Sequence, residues 1–116
     1  MGKPLSVDEY DLLNFFATGP KPVAPDICWN YNCNEYVVEN GAMQVSFTIS
    51  PSSKYVSLLM HVAGALVFEL SAQGVEDLKY HRDKAGESLE VVTAPQNSIW
   101  LTIKPTIAIR QFSSSF

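Results

Sequence analysis

The sequence predicts an α+β fold: one N-terminal helix packed on a strongly twisted antiparallel β-sheet of about six to eight strands. Three observations carry this. A capping pattern precedes a single amphipathic stripe near the N-terminus. Alternating apolar runs fill the rest of the chain. Turn residues punctuate those runs at spacings of roughly 8–12 residues.

The helix is expected at about residues 7–18. Ser6-Val7-Asp8-Glu9 fits a capping box, in which the Ser6 hydroxyl accepts from the Glu9 amide and Glu9 reaches back. Leu12, Leu13, Phe15 and Phe16 form one stripe, with Asp11 and Asn14 off it. Gly19-Pro20 stops the helix near Thr18. "GPKPVAP" then reads as an extended connector, because its prolines forbid both helix and a central strand.

Asn40-Gly41 asks for a type I′ hairpin turn. With those two residues in the loop, Val38 faces Met43 and Tyr36 faces Val45. Met43, Val45, Phe47 and Ile49 then share one face, and apolar meets apolar. Tyr55–Val62 and Ala65–Ser71 read as a second hairpin around Ala63-Gly64. Leu78–Arg82, Leu89–Thr93, Ser98–Ile103 and Thr106–Phe112 read as further strands, with Pro95-Gln96-Asn97 and Lys104-Pro105 between them. Ser113–Ser115 reads as a frayed tail. At 116 residues the chain is expected to form a single domain over residues 1–116.

Composition narrows function. The chain is 47% hydrophobic and 17% charged, which suits a globular protein. No apolar run reaches the roughly 18 residues that cross a bilayer, and no secretory signal opens the chain. A cytoplasmic location and no membrane contact are expected. The net charge is −4. Residues 1–40 hold six acids (Asp8, Glu9, Asp11, Asp26, Glu35, Glu39) against Lys3 and Lys21, which gives the whole −4; the remainder balances six acids with six bases. That sign argues against nucleic acid and for a basic protein partner.

The chemistry-bearing residues are few. Cys28 and Cys33 stand C-x4-C, and the two histidines, His61 and His81, are isolated. A structural zinc site wants four ligands in two close pairs, so no metal is expected. The acidic surroundings oppose a reactive thiolate, and free thiols are expected. His61 and Glu69 are the titratable residues inside apolar runs; an enzyme working around them remains an alternative. No second carboxylate, phosphate-cradling loop or nucleophile elbow accompanies them, so no cofactor and no catalytic residue is assigned.

"DICWNYNCNEY", Asp26–Tyr36, is the densest stretch. A straight strand would drive Asn30, Asn32 and Asn34 to the core face that the hairpin gives Tyr36. A buried amide without partners costs about 1–3 kcal/mol. Regular pairing should therefore fail between about Asn30 and Glu35, with the asparagines turned to solvent or to backbone. Rigid aromatics with adaptable amides and flanking acids compose an interface-like surface, with Asp26, Trp29, Tyr31, Glu35 and Glu39 as partner-binding candidates. Trp29 and Tyr31 closing one end of the core is the competing reading.

In size, acidity, α+β pattern and aromatic patch, the chain resembles the small immunity proteins that neutralise secreted bacterial toxins. It looks most like those paired with contact-dependent growth-inhibition toxins. "WNYNCNEY" and "QVSFTISPSS" are where the likeness is nearest. The resemblance implies a monomer or weak dimer that binds a cognate toxin domain, often a basic nuclease, and blocks its active site or substrate access. A small-ligand or carbohydrate-binding module built on Trp29, Tyr31 and the asparagines is the alternative.

Overall fold

The computed structural model describes residues 5–22, 24–84, 86–94, 97–104 and 106–113. Val23 of the connector, the turn residues Pro95, Gln96 and Pro105, and the tail residues Ser114 and Ser115 lie outside these.

The helix, α1, runs Glu9–Phe16. Its N-cap is Asp8, two residues later than Ser6. Asp8 and Asp11 form the reciprocal capping box, with Asp11 N–H to Asp8 Oδ1 at 2.9 Å and Asp8 N–H to Asp11 Oδ2 at 3.1 Å. Ser6 is drawn away by a stronger acceptor: its amide and hydroxyl donate to the Asp77 carboxylate at 2.7 and 2.6 Å. Burial desolvates that carboxylate. The two Ser6 hydrogen bonds, the Leu78 amide and nearby Lys79 outweigh it and hold the pKa below the usual value. At the other end Ala17 takes the left-handed conformation at φ 57° and caps onto Leu13 O, so the helix stops before Gly19.

Among the described residues nine antiparallel strands follow, divided between two sheets. The first sheet contains β1 (Lys21–Pro22), β2 (Asn34–Asn40), β3 (Met43–Ser50), β4 (Tyr55–Val62) and β5 (Ala65–Ala72), in that spatial order. The second contains β6 (Asp77–Asp83), β7 (Gly86–Ala94), β8 (Asn97–Thr102) and β9 (Ala108–Ser113). The α+β class and the helix packed on sheet are as the sequence predicts, but in place of one sheet of six to eight strands the described residues form two sheets, of five and four. The proline connector forms only the two-residue edge strand β1, where a missing N–H costs least.

The first hairpin turns one residue later than expected. Asn40 pairs with Met43, Val38 with Val45 and Tyr36 with Phe47, so the loop is Gly41-Ala42. Gly41 has φ +64° and Ala42 does not join it at positive φ, the φ pattern of a II′ turn rather than I′. Pairing moves by two positions, and side chains alternate with period two, so the same residues still face the core. Replacing Gly41 by valine is expected to cost more than about 1 kcal/mol in a denaturant titration, because a β-branched residue resists positive φ. The second hairpin has Ala63 at φ 52° and Gly64 at φ 84°, as an I′ turn requires.

A single cluster of buried side chains joins both sheets and the helix. Tyr36, Val45, Phe47, Ile49, Val56 and Leu58 come from the first sheet; Leu78, Leu89, Val91, Ile99 and Leu101 come from the second. The helix spans them. Phe16 stacks on Tyr36 at 4.8 Å, and Phe15 meets Tyr80 edge-on at 6.1 Å. Leu13, expected in the stripe, is instead exposed. Val75, on the link between the sheets, is buried as well.

Candidate partner interface

Regular pairing does stop where the asparagines begin. Trp29–Tyr31 is a 3-10 turn, and β2 starts only at Asn34. Asn30 is exposed, whereas Asn32 and Asn34 are buried with their amides satisfied by backbone. Asn32 Nδ2 donates to Ala24 O and Ile27 O at 2.6 and 2.9 Å, and its Oδ1 accepts from Ala24 N and Cys33 N at 3.2 and 2.8 Å. Asn34 Nδ2 donates to Trp29 O and Asn32 O at 3.1 and 3.2 Å. One side chain thus ties four backbone groups of the loop, and a second fastens it to β2. The loop's backbone is held by the chain's own side chains.

Trp29 lies inside this frame. It is only 9% exposed, and its Nε1 donates to Tyr36 Oη at 3.0 Å. Burial raises the Tyr36 pKa, against the Trp29 hydrogen bond and with help from Glu9. Trp29 therefore supports the loop from the core side and presents little surface. Among the residues the loop does present are Tyr31, 73% exposed, Ile27, 47% exposed, and Asp26. Ile27 went unnoticed in the sequence because it stands beside no periodic run.

Glu35 and Glu39 extend this surface along β2. Both alternate away from Tyr36, onto the outer face of the first sheet; Glu35 is half-buried opposite Thr48 and Glu39 exposed opposite Gln44. Four residues of strand separate them by about 13 Å. Asp26, Tyr31 and Glu35 thus belong to one end of the sheet, Glu39 to the other. Of the remaining acids in this third, Asp8 and Asp11 are engaged in the helix cap.

The alternative centre, His61 with Glu69, is joined by no hydrogen bond among the described residues. His61 is half-buried between Gln44 and Leu66, with its Nδ1 buried and unpartnered. Glu69 is exposed opposite Leu59. Cys28 is an exposed free thiol and Cys33 a half-buried one. Among the described residues no group of His, Cys, Asp or Glu is placed to hold a metal ion, and no helix is long and apolar enough to cross a membrane.

Sequence reasoning missed a second surface, on the outer face of the second sheet. Trp100 sits between the core residues Ile99 and Leu101, and alternation alone puts it outside. His81 stacks on it at 4.5 Å, and Phe112 meets it edge-on at 6.3 Å.

No protein-family model matches the chain, and no curated protein does. Among solved structures, a chain of a "Contact-dependent growth inhibition toxin - immunity protein complex from Klebsiella pneumoniae 342" is similar, with a TM-score of 0.79, covering 98% of this chain and 100% of that one. The two share a fold. Sequence identity is 21%, so the likeness is one of architecture.

Proposed function

We infer that this protein is an immunity protein that binds and neutralises a cognate bacterial toxin domain. The observation that carries the reading is the end-to-end fold likeness to a chain of a toxin–immunity complex. It coincides with the type that the acidity and aromatic content of the sequence resemble. Two features favour the immunity side of such a pair. The net charge of −4 lies wholly in residues 1–40, which suits a basic partner domain such as a nuclease. The loop bearing Asp26, Ile27 and Tyr31 is fixed by Asn32 and Asn34, so little ordering entropy is lost when a partner covers it. In this reading the protein blocks the toxin's active site or substrate access and performs no catalysis. The test is direct binding, in solution, to the product of the neighbouring gene, the toxin candidate. A complex of defined stoichiometry is expected; failure of two folded proteins to associate would refute it.

A further inference from the structure

The outer face of a solvated sheet is ordinarily polar. On the second sheet it instead carries a connected aromatic cluster. Glu90, Trp100 and Arg110 are consecutive cross-strand partners on β7, β8 and β9. The Trp100 ring is held on three sides. His81 stacks on it at 4.5 Å, Phe112 meets its edge, and its Nε1 donates to Ser98 Oγ at 3.2 Å. His81 is itself fixed by a 2.9 Å hydrogen bond between its Nε2 and Glu90 Oε1. Beside this fixed ring lies an open groove of about 470 Å³, lined by Ser88, Trp100, Thr102, Arg110 and Phe112 among others.

The charges in the groove are unequal. Glu90 is engaged by His81. Arg110 is exposed and stands 5.4 Å over the Phe112 ring, and among the described residues it has no carboxylate partner. A guanidinium offers five donors in a planar fork matched to a carboxylate. Trp and Arg are also the residue types that dominate binding energy at protein interfaces.

We propose that this groove is an anchoring site for the toxin, taking a segment that presents an Asp or Glu carboxylate to Arg110 beside a large apolar side chain that packs on Trp100 and Phe112. The proposal rests on the immunity reading and adds a second contact to it. Long-range charge attraction draws a basic domain toward the acidic third, and the groove holds one acidic point of that domain.

The experiment measures binding of the full chain to the toxin domain encoded by the neighbouring gene, for wild type, Arg110→Glu, Arg110→Lys and Trp100→Ala, with Val67→Ser, an exposed uncharged position on the other sheet, as control. Arg110→Glu is expected to weaken affinity by about 30-fold or more, mainly through faster dissociation, with thermal stability unchanged. Arg110→Lys, which keeps the charge but loses the fork, should fall between. The control should match wild type. If the wild type binds but Arg110→Glu binds within about twofold of it, the groove is not the anchor and the immunity reading stands. If the wild type does not bind, that reading itself fails. Arg110 is exposed, so its variants decide the matter even should Trp100→Ala not fold.

Discussion

Trp29→Ala is expected to lower the unfolding free energy by about 3–5 kcal/mol, the range for deleting a large buried aromatic. The indole fills the space between the loop and β2, and its Nε1 donates to the buried Tyr36 hydroxyl. Truncation leaves a cavity and a polar group in the core without its donor. Trp29→Phe separates the two terms: most of the volume stays while the hydrogen bond goes, and a loss of about 1–3 kcal/mol is expected. Chemical denaturation monitored by far-UV circular dichroism, with binding measured on the same samples, checks both. A Trp29→Ala protein of full stability but poor affinity would return Trp29 to the interface and contradict its placement in the core.

This residue shows where sequence reasoning reaches and where it stops. Composition marked the stretch Asp26–Tyr36 as special, and the cost of burying three amides indicated that regular pairing must fail there. Which way Trp29 points is not a local property. It follows from how Asn32 gathers Ala24, Ile27 and Cys33 backbone, and no periodic signal encodes that. The hairpin slip has a related cause. Moving the loop from Asn40-Gly41 to Gly41-Ala42 shifts pairing by two, and apolar alternation is blind to a shift of two. The helix cap moved because Ser6 has a distant competitor in Asp77, invisible at the level of four neighbouring residues. The strands were legible, but the division into two sheets was not: it turns on Val75 entering the core between β5 and β6. The outward position of Trp100 was missed, although its parity against Ile99 and Leu101 carries the signal.

Reversing Glu35 and Glu39 to lysine together is expected to slow association with a basic toxin domain by about tenfold or more at low salt. Both side chains lie on the outer face of β2, and the double change shifts the local charge by four units. The effect should shrink as salt rises, because the screening length falls from about 10 Å at 0.1 M to about 3 Å at 1 M. Tyr31→Ala should act on the other rate: an exposed aromatic on a rigid loop holds a complex once formed, so dissociation should quicken while association changes little. Stopped-flow association at several salt concentrations separates the two. Charge reversals that leave the association rate and its salt dependence unchanged would remove the acidic surface from the encounter.

Protection of living cells tests the account most directly. The toxin candidate from the neighbouring gene would be produced from a tight inducible promoter, alone or with this protein. The account predicts growth arrest with the toxin alone and normal growth when the protein is present. It further predicts that the combined Glu35→Lys, Glu39→Lys and Arg110→Glu variant, folded and equally abundant, protects poorly. Arrest that persists despite abundant folded wild-type protein would contradict it.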